Sequence, residues 1–143
     1  GKPKKTGTSP DDYDIVLIAR DRHKATSDHI LYDFEGGSFD AALAPLIERD
    51  AVLVTDGRQA YIGLARACGV EHVMVVARAG VRVVNGFHIQ NVNAYASRLK
   101  DWLRPFRGVA SKYLASYLGW HRMIERDGDR LTPRHVIGQA VAA

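Results

Sequence analysis

The run AVLVT at residues 51–55 constrains the fold more than any other stretch of this chain. It is short and almost wholly apolar, the pattern of a strand covered on both faces, and it closes on Asp56-Gly57. Amphipathic segments flank it on both sides, so the spacing predicts a strand that joins its sheet in parallel through helical crossovers. Downstream, Tyr61, Leu64, Ala65 and Cys68 share one stripe of a helix over Gln59–Cys68, with Gly69 as its C-cap. Upstream, FDAALAPLIERD sets Phe39, Leu43, Leu46 and Ile47 at helical spacing after Ser38 as N-cap, and Pro45 shortens or kinks that helix.

Two further apolar runs precede the first helix. DIVLIAR at 14–20 and HILYDFE at 29–35 predict a hairpin joined by the polar stretch DRHKATSD. HVMVVA at 72–77 predicts a second buried parallel strand, followed by a loop over 77–86. Helices are expected over Ile89–Leu103, Ser111–Ile124 and Pro133–Val141, separated by Pro105, Gly108 and the turn DGD. The resulting order, β-β-α-β-α-β-α-α, predicts an α/β fold whose mixed sheet has antiparallel strands first and parallel strands after, flanked by helices. Because the first strand is not followed by a glycine-rich turn into a helix, the pattern excludes a plain doubly wound nucleotide-binding domain.

At 143 residues, 46% of them hydrophobic, the chain reads as one domain with a real core. Residues 1–13 read as a flexible lead-in, 14–126 as the folded domain and 127–143 as a C-terminal helical tail. A net charge of +4 mildly favours a polyanionic partner. The single Cys68 and the absence of Cys/His zinc spacing predict a reducing, cytoplasmic setting. No membrane partner is expected, since no apolar run nears the roughly 18 residues of a spanning helix.

Three residues stand out as chemistry. Asp56 follows a buried strand, where α/β sheets gather ligands, and its carboxylate suits Mg²⁺; the alternative is that Asp-Gly simply makes the turn. Asn93 and Lys100 lie seven residues apart, hence on one face of the helix over 89–103, while Asn91 points elsewhere. An asparagine oxygen can ligate Mg²⁺ and a lysine can contact phosphate, or else one asparagine caps the helix and the cations face water. Arg98, Lys100, Arg104, Arg107 and Lys112 could follow a nucleic-acid backbone or form an ordinary helix exterior. His72 and His88 read as structural or surface imidazoles. Trp102, Phe106, Tyr113, Tyr117 and Trp120 read as core rather than a base-stacking platform.

Three segments, VLVTDGRQAY, HIQNVNAYASRLKDWLRPFRGV and SKYLASYLGWHRMIER, resemble the catalytic domain of bacterial insertion-sequence transposases with an RNase H-like fold, of the type whose third catalytic position is Asn or Glu followed by lysine seven residues on. The resemblance spans roughly residues 14–126. It implies that Asp56 is the second metal-binding carboxylate, Asn93 the third catalytic position and Lys100 a helix lysine contacting DNA. It further implies Mg²⁺ or Mn²⁺ as cofactor, transposon-end and target DNA as partners, a homo-oligomer in the full-length form, and end cleavage followed by strand transfer. The family's first strand, with its first catalytic Asp, precedes a basic loop like GKPKK. That strand and its Asp are therefore expected to be missing here, leaving a catalytic-domain fragment inactive alone. The alternatives are a non-catalytic transposase remnant that binds DNA, or an unrelated α/β phosphotransfer enzyme.

Overall fold

The structure is a computed structural model and describes residues 13–33, 35–76, 80 and 83–133. It divides into two compact units, one within residues 1–96 and one within 97–143.

The first unit begins with β1 (Ile15–Arg20), paired antiparallel with β2 (Thr26–Leu31) in a register running from Ile15 opposite Leu31 to Arg20 opposite Thr26. Strand alternation sorts this hairpin into two faces. Ile15, Leu17, Ala19 and Leu31 join a core with Phe39, Leu43 and Leu64. On the other face, Arg20 and Asp28 meet the buried ring of Tyr95. β2 starts three residues before the apolar run that predicts it. The Asp21 carboxylate accepts the Ala25 amide at 2.8 Å, and Lys24 adopts a left-handed φ of 72°, so the loop closes early and polar Thr26–Asp28 are drawn into the ladder. The strand stops at Leu31, and Tyr32 is almost fully exposed.

Helix α1 (Gly36–Leu43) starts before Ser38, which is not its N-cap. The Ser38 hydroxyl donates instead to Asp33, whose carboxylate also accepts the Glu35 amide. Those two donors hold the Asp33 carboxyl below its ordinary range. Pro45 ends the helix early, in a 3₁₀ turn over Ala44–Leu46.

β3 (Val52–Thr55) and β4 (Glu71–Met74) pair in parallel across α2 (Gln59–Cys68). The bounds of α2 are those read from sequence, and Gly69 closes it at φ 68°. β4 begins one residue earlier and ends sooner than its apolar run, although the Val75 amide still reaches the Thr55 carbonyl at 2.8 Å. Both faces of β3 are covered. Leu53 packs into the hairpin core, while Val52 and Val54 pack with Val73, Val75, Ile89 and Val92. A tight turn at Asn85-Gly86, with φ of 49° and 82°, reverses the chain between Val84 and Phe87 ahead of α3 (Gln90–Leu103).

The expected single mixed sheet is, among the described residues, two two-stranded sheets, one antiparallel and one parallel. Both send side chains into one shared core, but no ladder joins β1 to β3. A groove of about 180 Å³ opens there, lined by residues 15–18 of β1, Leu31, Phe39, Asp56, Arg58 and Tyr61.

The second unit holds the C-terminal part of α3, a 3₁₀ turn over Arg104–Phe106, and α4 (Ser111–Asp127), three residues longer than its sequence pattern suggests. Among its described residues, Leu99, Leu114, Leu118 and His121 are buried. Arg98 grips Glu125 with two hydrogen bonds of 2.7 Å. The helix expected over 133–141 lies outside the described residues after Pro133.

Burial ranks the core. Leu64 has no exposed surface, so Leu64→Ala should cost about 2–5 kcal/mol in urea unfolding. Leu46→Ala, at a half-exposed position, should stay within about 0.5 kcal/mol.

Candidate active site

Asp56 stands in the turn leaving β3, and local hydrogen bonds fix that turn. Thr55 is buried, and its hydroxyl both accepts the Gly57 amide at 3.2 Å and bonds His72 Nε2 at 2.8 Å across the parallel pair. Gly57 takes φ 89°, where a side chain is strained, and an added Cβ would meet Val76 Cγ2 at 3.3 Å. Asp56 itself is exposed. Its Oδ1 accepts the Arg58 amide at 3.4 Å and its Oδ2 lies 3.7 Å from Arg58 Nε. An ion pair this exposed contributes about 0–1 kcal/mol, so it places Arg58 at the groove rim without locking Asp56 away from solvent. Tyr61 lies behind the pair; burial first, then the Asp56 charge, raises its phenol above 10.0 and keeps it protonated.

Asn93 sits on α3, and the rotation of that helix is set by what it buries. Tyr95 is fully buried, its hydroxyl donating to Asp28 at 3.4 Å with the Arg20 guanidinium 5.0 Å from its ring centre; Leu99, one turn on, is buried as well. With Tyr95 and Leu99 inward, Asn93, Ser97 and Lys100 fall on an exposed stripe. Neither asparagine caps the helix. Asn93 is inside its first turn, its amide bonded to the Ile89 carbonyl at 3.0 Å, and Asn91 points elsewhere, donating from Nδ2 to the Asp21 carbonyl at 3.2 Å.

One cluster connects the two elements. Val54, two residues before Asp56, and Val92, the residue before Asn93, pack against the same buried group of Val73, Val75 and Ile89. The end of β3 and the first turn of α3 therefore rest on common core. Lys100 lies two turns along α3, in the part belonging to the second unit.

The other sequence candidates divide. Arg98 and Arg104 are engaged by Glu125 and Asp101 at 2.7 Å, so part of their charge is already neutralised. Lys100, Arg107 and Lys112 are exposed. His88 is exposed, and of the two roles read for His72, structural or surface, its bond to Thr55 favours the structural one. The aromatic assignment needs correction: Phe106, Tyr113 and Trp120 are 38%, 54% and 47% exposed, and only Trp102 and Tyr117 are partly buried. Sequence reasoning missed Arg58 and the Thr55–His72 bond; an arginine two residues past a strand-end acid was the available signal for the first.

As metal donors, Asp56 and Asn93 offer one carboxylate and one amide oxygen, hard ligands of the kind Mg²⁺ takes together with water and substrate phosphates. Among the described residues no group of three or more His, Cys, Asp or Glu is gathered to hold an ion. The set fits such an ion as part of a site.

Thr55→Val keeps the shape but orphans the Gly57 amide, and should cost about 1–3 kcal/mol. Burial lowers the His72 pKa below 6.5. The unfolded chain thus binds the extra proton, and stability should fall as pH drops below 6.5 toward the folded pKa. His72→Gln should reduce the loss of urea midpoint between pH 7.5 and pH 5.5; an unchanged loss would remove His72 from the account.

The family model of the ISXO2-like transposase domain matches residues 1–120 of this chain. No curated protein and no solved structure matches it. No helix among the described residues is long and apolar enough to cross a membrane. The chain belongs to the ISXO2-like transposase domain family.

Proposed function

We propose, with membership of the insertion-sequence transposases as the premise, that the chain carries part of a metal-dependent DNA cleavage and strand-transfer site built on Asp56 and Asn93. The observation that carries this reading is the shared cluster under the end of β3 and the first turn of α3. It supports a carboxylate and an amide oxygen converging from two rigid elements.

The fold proposed is RNase H-like, with a further strand pairing between β1 and β3. The groove supports this. Its long wall is residues 15–18 of β1, and Asp56 stands at its rim, so a strand seated there would bring its own side chains beside Asp56. An acid on that strand would complete the partial donor set.

Mg²⁺ or Mn²⁺ held by these oxygens would supply Lewis-acid activation of water for end cleavage and of the freed 3′-hydroxyl for strand transfer. Asp56 contributes the negative charge and the fixed strand-end position. Asn93 adds a neutral oxygen. Arg58, at the rim beside Asp56, is long enough to take a phosphate oxygen once substrate arrives. Lys100, two turns along α3 from Asn93, takes a backbone phosphate, and exposed Arg107 and Lys112 extend the contact.

A nicking and strand-transfer assay with Mg²⁺ or Mn²⁺, on this chain and on one extended upstream of Gly1, tests the reading. The extended chain should cut transposon-end DNA, and Asp56→Asn or Asn93→Ala should each lower its rate by about two orders of magnitude or more. Lys100→Ala should weaken DNA binding and reduce its salt slope by about one unit. Metal-independent cutting, or an extended chain that binds DNA and never cuts it, would overturn the catalytic reading.

A further inference from the structure

α4 carries two adjacent stripes. Leu114, Leu118 and His121 are buried, and beside them run Tyr113, Tyr117 and Trp120 at the same helical spacing. Tyr117 is wedged, 4.9 Å from Phe106 and 6.0 Å from Trp102 between ring centres. Trp120 stands edge-on to Trp102 at 5.1 Å and lies 6.3 Å from Phe106. This ring cluster is firmly packed on its inner side, yet Trp120 and Phe106 leave 47% and 38% of their surface in water, and Tyr113, one turn before Tyr117 on the same stripe, leaves 54%. Apolar surface left exposed by a well-packed cluster and rimmed by polar residues marks an interaction site.

Charge says what kind. Residues 97–143 hold nine Lys and Arg against four Asp and Glu, while residues 1–96 hold eleven against twelve. The whole positive excess of the chain therefore belongs to the segment that bears the rings. Lys112 holds its ammonium 4.7 Å from the centre of the Tyr113 ring, and exposed Arg107 directly follows Phe106 in a left-handed conformation at φ 50°. Cations interleaved with half-exposed rings suit a polyanion that also presents flat apolar faces. Duplex DNA hides those faces in its own stack and shows only edges and phosphates. An unpaired strand exposes them.

We propose that the exposed face of this helical unit, Phe106, Tyr113 and Trp120 with Arg107 and Lys112, is a stacking surface for unpaired nucleotides. The inference rests on the DNA-processing reading for its biological setting and names the form of DNA it takes: strand ends or melted segments, such as cleavage exposes. The rings take base faces and the cations take the intervening phosphates.

The test is fluorescence anisotropy with the 143-residue chain at fixed low salt, using labelled oligothymidine of about 12 nucleotides and a duplex of equal length. Tyr113→Leu and Trp120→Ala should each weaken oligothymidine binding by about five-fold or more while changing duplex binding by less than about two-fold. Trp120→Phe, which restores a ring, should recover most of the loss. Lys112→Gln should weaken both ligands. Tyr113→Leu keeps an apolar group at an exposed position, so a loss there reports on the ring and not on folding.

Equal losses on both ligands, or none on either, would overturn the proposal. So would ring-dependent binding of phosphatidylserine vesicles without binding of oligothymidine. The two readings fail separately: absent stacking with metal-dependent cleavage by the extended chain would remove only this surface, and ring-dependent binding without cleavage would remove only the catalytic site.

Discussion

The burial of Tyr95 is the contact on which the arrangement of the first unit turns. Its ring lies against the face of the hairpin opposite Leu17 and Leu31, with its hydroxyl on Asp28 and the Arg20 guanidinium against its ring. A fully buried tyrosine leaves a helix little freedom to rotate, because any other angle would strip the ring of its packing and expose the hairpin to water. Asn93, two residues earlier, is thereby directed to the exposed side of α3. The same contact explains why a hairpin with polar Thr26, Ser27 and Asp28 in one strand is stable: one face is closed by Leu17 and Leu31 against Leu64, the other by Tyr95.

A second constraint acts at the end of β3. The buried Thr55 hydroxyl binds His72 on the neighbouring strand and the Gly57 amide beyond the turn, so the carboxylate between them is delivered from a fixed backbone. Asp56 is exposed because the turn carries it out of the sheet, and Arg58 meets it there. Under the proposed function this economy is chemically apt, because phosphoryl transfer depends on positioning and charge more than on unusual side-chain reactivity. Under the proposed function, β3 and α3 are the rigid supports and the groove beside β1 is the place where a further strand would complete them.

How much of this was legible in the sequence depended on whether local pattern or register decided it. α2 was readable to the residue because its stripe of Tyr61, Leu64, Ala65 and Cys68 and its Gly69 stop are both local signals. The start of β2 was not, because Thr26 to Asp28 become strand only through pairing with Ile18 to Arg20. Ser38 looks like an N-cap in one dimension, yet the acid it meets is Asp33, five residues upstream. Asp56 was visible as an acid closing an apolar run, whereas the Thr55–His72 bond that steadies its turn joins residues seventeen apart and follows from the register of two strands. The exposure of Tyr113 and Trp120 is not legible for a related reason. Tyr113, Tyr117 and Trp120 share the periodicity of Leu114, Leu118 and His121, and spacing alone does not tell the buried stripe from the one beside it.

The central claim is that Asp56 and Asn93 serve one ion. The most direct measurement is a Mn²⁺ titration followed by amide resonances, on the chain extended upstream of Gly1, since a bound paramagnetic ion broadens whatever lies close to it. The account predicts that resonances around Asp56 and around Asn93 vanish together at the same low Mn²⁺ concentration, and that Asp56→Asn spares both. Broadening around Asp56 that leaves the first turn of α3 sharp would contradict it.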